Sequence, residues 1–247
     1  MAYLTYYLLL SFSMIGYGFF ISRILKINYV NIGFLGLLGI SVLIFISYAT
    51  TLFIPHNFYF NVSILILGVF LFLINFKNIK SEDLKIFAIV FSILLLFIFA
   101  AKNHDDFPYY HFPYSHFLTQ LEHPIGFGKL NPGFRNPSSV FFLSSLFYFP
   151  YIDHYLLNLY PVYFLGFSNI ILLKFILNKK DFNNHKSINI LSLLCFSFIN
   201  IFFYRMAEHG TDRSGMIIIF IMVVILFFIV FKKKNKTNKL GENKNYF

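Results

Sequence analysis

Tryptophan is absent from the 247-residue chain, cysteine occurs once, and charged residues make up only 12% of it. Each shortage excludes something. A lone Cys195, set within an apolar run, rules out an internal disulfide and a cysteine-based metal site and reads as a packing residue. So little charge beside 58% hydrophobic content is incompatible with a soluble domain of ordinary composition. No basic region precedes the first apolar run and no small-residue cleavage site follows it, so a cleaved signal peptide is not expected. No HExxH-type pattern and no internal repeat is present. The abundance of Phe, Ile, Asn, Lys and Tyr reads as coding bias and carries little function.

What the chain does have is long apolar runs. A spanning helix needs about 20 mostly apolar residues. The runs fall at Tyr3 to Ile21, Ile32 to Ile54, Phe58 to Phe76, Ile86 to Ala101, Tyr155 to Leu177, Ile188 to Tyr204 and Gly215 to Phe231. An eighth segment, Pro137 to Tyr151, is apolar but short and holds four serines. Gly33, Gly36 and Gly39, closely spaced on the second run, read as a helix-packing face.

The net charge of +10 does not indicate a nucleic-acid partner, because the basic residues flank apolar runs. Arg23 and Lys26, then Lys77, Lys80 and Lys85, then Lys179, Lys180 and Lys186, and six lysines from Lys232 to Lys244 make fourteen of the twenty basic residues. Putting all four groups on the cytoplasmic side requires that Pro137 to Tyr151 does not cross. It is then expected to lie on the outer surface as an amphipathic helix. The expected fold is all-α: a polytopic membrane helical bundle of about seven spans plus two outer-surface amphipathic helices, N-terminus out and C-terminus in. The lysine-rich tail, 232–247, reads as a solvated anchor at the anionic inner leaflet.

This topology gathers the polar chemistry on one face. Asp105, Asp106, Glu122, Asp153, Glu208, Asp212 and seven of eight histidines fall outside, mostly in a long loop from Lys102 to His154 and a short one from Arg205 to Arg213. Ionisable residues at a membrane boundary are expensive and tend to be functional. Pro113 to Leu121 is expected to be a surface helix, with proline in its first turn, ended at His123-Pro124-Ile125-Gly126. Adjacent aspartates cannot form an opposed acid/base pair, because consecutive side chains point to different sides. A single aspartate as general base fits better, its pKa raised by desolvation near the apolar boundary. His104, His111, His116 and His123 are spaced by seven, five and seven and do not share one helical face, so no metal site is read from them.

Asp105-Asp106-Phe107-Pro108-Tyr109 resembles the Asp-acidic-x-x-Tyr motif in the first external loop of GT-C membrane glycosyltransferases, which include protein mannosyltransferases and the lipid A aminoarabinose transferase. The resemblance runs on through a surface helix (Pro113 to Leu121), Arg135 before Pro137, a second surface helix, a span ending at Lys179-Lys180, another span, and a short loop bearing Asp212. It covers residues 86 to 231, leaving 1–85 as accessory spans. It implies transfer of a sugar from a polyprenyl-phosphate donor to an envelope acceptor at the external face of a bacterial cytoplasmic membrane. Asp105 would be the base, with Asp106 beside it. Tyr109, His111, Lys129, Arg135, Arg205 and Asp212 would bind substrate, the cations facing the leaving phosphate. No cofactor is implied with certainty, though Asp212 admits a divalent metal. GT-C enzymes usually carry more spans after the second acidic loop. The expectation is therefore the front half of such a module: a truncated gene, an enzyme completed by a partner subunit supplying the missing spans, or a derived protein without activity. The rival reading is a non-enzymatic accessory subunit or carrier in envelope glycan assembly.

Overall fold

The computed structural model describes residues 1–27, 31–99, 104–122, 126–177, 186–204 and 211–242, and its long elements are all helices. They are α1 (Ala2–Ile24), α2 (Ile32–Thr50), α3 (Phe58–Asn75), α4 (Ser81–Phe99), α5 (Phe112–Gln120), α6 (Ser139–Ser145), α7 (Tyr160–Leu177), α8 (Lys186–Phe202) and α9 (Thr211–Glu242). Each of the seven expected spans is a helix. Five (α1, α2, α3, α7 and α9) are long and apolar enough to cross a membrane, so the protein is an all-α integral membrane bundle. The other two differ in detail. Helix α4 begins four residues before Lys85 and takes Glu82, Asp83 and Lys85 into its first turns, while α8 is 17 residues long.

Helix α7 is the centre. Tyr160 through Leu172 are buried without interruption, and α2, α4, α6, α8 and α9 all pack on it. A helix apolar all round belongs inside the bundle. The glycine-rich face of α2 does what its spacing predicts. A side chain at Gly33 or Gly36 would collide with Phe167 on α7, and one at Gly39 with the Met14 carbonyl of α1. Small residues thus bring three helix backbones together where lipid offers no hydrophobic drive.

Several polar groups within the bundle are paired, as a bilayer favours. The Tyr7 hydroxyl donates to the Phe91 carbonyl at 2.8 Å, Tyr163 to the Tyr7 carbonyl at 3.0 Å, and Asn169 and Asn200 exchange side-chain hydrogen bonds at 2.9 and 2.8 Å. Asn31 and Asn57 cap α2 and α3 by accepting the Phe34 and Phe60 N–H groups.

Contacts fix which connections share an end. At one end Arg23 donates to Asn75, and Lys174 pairs with Asp83 at 2.6 Å and Glu82 at 3.2 Å. The opposite end gathers the start of α1, where Tyr6 stacks on Phe149, the α2–α3 turn, and the long connection 104–159. Leu118 of that connection accepts the His56 N–H. Chain direction therefore reverses once per expected span, with Pro137 to Tyr151 not counted as a crossing.

That segment departs from the expected surface helix. Helix α6 spans only seven residues, about 10 Å, and Val140 through Ser145 are buried. Two of the segment's four serines, Ser144 and Ser145, explain the difference, because their hydroxyls are turned inward. Ser144 donates to the Leu157 carbonyl and Ser145 to the Phe142 carbonyl, while the Ser145 hydroxyl also meets His56 Nδ1 at 2.7 Å. Asn61 Nδ2 closes the seam by donating to the carbonyls of His56, Ser145 and Tyr148. Helix α5 does keep one buried stripe, Tyr114, Ser115, Leu118 and Thr119, as an amphipathic helix should. Helix α9 runs on to Glu242. The lysine-rich tail begins as a helical continuation of the last span, in keeping with the good helix propensity of lysine.

Candidate functional site

The doubled aspartate lies at the mouth of a tight turn. The Phe107 N–H reaches back to the His104 carbonyl, and both Tyr109 and Tyr110 N–H groups reach the Asp106 carbonyl. Residues Phe107–His111 then form one π-helical turn, in which the Phe112 N–H bonds the Phe107 carbonyl five residues back. A wider turn changes the angular step per residue, and such turns recur at functional sites. Here it carries His111 back beside His104, their rings stacked at 5.5 Å.

The result is a cluster. His104, Asp106 and His111 each offer one ligand-type atom, all within 4.8 Å of one another. The His104 Nδ1 accepts the Asp106 backbone N–H at 3.1 Å and lies 3.8 Å from Asp106 Oδ2. The Tyr110 hydroxyl donates to the same Oδ2 at 3.2 Å. His111 is buried, and its Nε2 has no hydrogen-bond partner. Counting helical faces from the sequence did not bring His104 and His111 together, because it assumed a 3.6-residue step throughout a segment that has a π turn.

Asp212 joins from the first turn of α9. Burial chiefly pushes the Tyr110 hydroxyl pKa up, followed by the charge and hydrogen bond of Asp106 and then the charge of Asp212. Burial and neighbouring His104 push His111 down to about 4, against an opposing pull from Asp106 and Asp212. Asp212 therefore lies near the 104–111 turn, and His111 stays neutral at physiological pH.

The remaining expected residues divide. Asp105 is exposed and lines an open pocket of about 610 Å³ with His104, Phe107, Pro108, Tyr109 and Phe112. It thus sits in the pocket while Asp106 turns into the cluster, as adjacent side chains should. Exposure at Asp105 differs from the desolvated position expected near the apolar boundary. Tyr109 is exposed on the pocket wall, and its carbonyl accepts Asn131 Nδ2 at 3.1 Å. That bond and the fit of Gly133 against Tyr110 dock the 126–135 segment on the turn. Lys129 and Arg135 are exposed on this segment, with Arg135 Nε donating to the Gly128 carbonyl at 3.2 Å. Arg205, Glu208 and His123 lie outside the described residues.

Sequence reasoning missed two features nearby. His56 is fully buried among Ser47, Thr50 and Ser145, and burial pushes its pKa down to about 4. His116 and His154 meet edge to face at 4.6 Å, each with an unpartnered Nδ1. The four serines of Pro137 to Tyr151 were the available signal for the first.

Over residues 1–246 the chain matches the family described as a domain of unknown function (DUF8201), and it belongs to that family. It matches no curated protein and no solved structure.

Proposed function

We propose that this protein is a membrane glycosyltransferase-like protein that moves a sugar from a polyprenyl-phosphate donor to an envelope acceptor, with the 104–135 face and Asp212 external. The observation that carries the reading is the convergence of Asp212 with the Asp105-Asp106 turn. A donor sugar needs an acceptor-activating carboxylate and further polar groups within one molecule's reach, and Asp212 comes to the Asp105-Asp106 turn from more than 100 residues away in the chain.

In this reading Asp105, in the open pocket, orients or deprotonates the acceptor nucleophile, which attacks the anomeric carbon as the C–O bond to the lipid phosphate breaks. Asp106 is held in the neighbouring cluster, its backbone carbonyl accepting the Tyr109 and Tyr110 N–H groups that shape the turn. Tyr109 lines the sugar side, and His111 lies buried behind it. The charge developing on the phosphate calls for cations: Arg135, anchored on Gly128, first, then Lys129 and Arg205. The basic residues at the opposite end support an external active face, here taken as that of a bacterial cytoplasmic membrane. Spans completing the site would come from a partner subunit or from further chain.

Membranes carrying Asp105→Asn should lose transfer from a polyprenyl-phosphate sugar by about a hundredfold or more, the scale of a lost general base. Unchanged transfer would sink the catalytic assignment and leave the accessory-subunit reading. Orientation is tested on a Cys195→Ala background. An impermeant thiol reagent applied outside should label Lys129→Cys and Tyr151→Cys and spare Asn183→Cys, and the reverse pattern would place the pocket inside.

A further inference from the structure

We propose that His104, Asp106 and His111 form a binding site for one divalent transition-metal ion, with zinc as the representative ligand. Two imidazoles and one carboxylate already sit within 4.8 Å of one another. Ligand atoms around a tetrahedral zinc at about 2.0–2.1 Å lie about 3.4 Å apart, so the cluster needs to close by little more than 1 Å. The pieces that would move are free to do so. The His104 and Asp106 side chains are 34% and 49% exposed, and His104 lines the open pocket.

A second observation points to a ligand independently. His111 is only 4% exposed, yet its Nε2 meets no donor or acceptor. A buried polar atom left unpaired costs free energy and asks for a partner. The carboxylate is also oriented from outside the cluster. Tyr110 holds Asp106 Oδ2, in the manner of the outer partners that aim metal-binding carboxylates. No described Lys or Arg pairs with Asp106 or Asp212, so the charge a cation would neutralise is in place with no rival among the described residues.

The donor set chooses the metal class. Imidazole nitrogens favour zinc and its first-row neighbours, whereas magnesium and calcium prefer oxygen. Three protein ligands leave a fourth position open, on the side of the Asp105 pocket. His104 can ligate through Nε2 and keep the Asp106 N–H on Nδ1, or through Nδ1 by giving that bond up. If the sugar-transfer reading holds, the open position suits a phosphate oxygen of the donor. The metal site itself does not depend on that reading.

The test uses the full chain, purified in detergent after chelator treatment. Zinc should bind at one ion per chain, and cobalt substituted for it should give the visible absorption of a low-coordinate nitrogen–oxygen site. His104→Ala and Asp106→Asn, both at partly exposed positions that leave the fold intact, should each weaken zinc binding by about tenfold or more. His154→Ala, which removes the other histidine pair, should bind as the wild type does. Absence of stoichiometric zinc in the wild type overturns the proposal, as does wild-type affinity in both cluster variants or loss of binding in His154→Ala. The readout is metal content, so its failure leaves the Asp105→Asn experiment untouched, and the converse holds too.

Discussion

The two ends of the bundle treat carboxylates in opposite ways. At one end Asp83 is buried, and Lys174 reaches from the last turn of α7 to hold it at 2.6 Å, with Glu82 at 3.2 Å. At the other end Asp106 and Asp212 share a neighbourhood with imidazoles and a phenol, and neither has a described lysine or arginine partner. Where a carboxylate serves the fold, the chain supplies its counter-charge. Where the chain withholds one, the carboxylate is available to something that arrives. The same contrast holds for neutral groups. His56 has its serine and threonine partners, whereas His111 has an orphaned Nε2.

The hardest test of that contrast is Lys174→Met. Removing one partner of a buried ion pair leaves an uncompensated charge, worth about 3–5 kcal/mol. Partial exposure of Lys174 and Glu82, 18% and 65%, places the expectation near the lower bound, about 3 kcal/mol. The thermal midpoint of the detergent-solubilised protein should fall accordingly. A loss under about 1 kcal/mol would mean that the pair is solvated and that the two ends do not differ in kind.

Acid should weaken the seam by a comparable amount. His56 titrates at about 4 in the folded chain, against about 6.5 when unfolded. The unfolded chain therefore takes up the proton first. The contribution is intact above about pH 6.5 and is lost progressively as pH falls towards 4, by at most about 3 kcal/mol. His111 and His116 are shifted the same way, so the whole-protein slope exceeds one histidine's share. The discriminating measurement is His56→Gln, whose midpoint should fall less steeply between those pH values. An unchanged slope would remove His56 from the account.

Much of the bundle was legible because membrane spans are written in composition. Seven apolar runs became seven helices, and the flanking lysines gave the number of reversals that the contacts confirm. Gly33, Gly36 and Gly39 announced a close crossing because nothing larger fits against Phe167 and the Met14 carbonyl. Helix α6 was not legible. Serines look polar in a sequence, and only the fold turns the Ser144 and Ser145 hydroxyls onto nearby carbonyls, so that a buried segment reads as amphipathic. The site was half legible. Two adjacent aspartates in a sea of apolar residues were conspicuous, and Asp212 was placed near them by topology. The meeting of His104 with His111 was not, because a single π turn at Phe107–His111 breaks the periodicity on which face-counting depends.

The finest test of the contrast between the ends is Asp106→Asn without metal. The substitution keeps the shape and an oxygen for the Tyr110 hydroxyl, and it removes a negative charge that shares the Tyr110 and His111 neighbourhood with Asp212 and pairs with no described lysine or arginine. The lost interaction with His104 is weak at 3.8 Å and depends on that ring being protonated. The two effects oppose each other, so the apo protein should stay within about 0.5 kcal/mol of the wild type. A cost approaching that of Lys174→Met would show that Asp106 is a structural carboxylate like Asp83. A near-zero cost, beside a collapse of zinc affinity, would mean that the fold keeps this carboxylate at its rim without using it for its own stability.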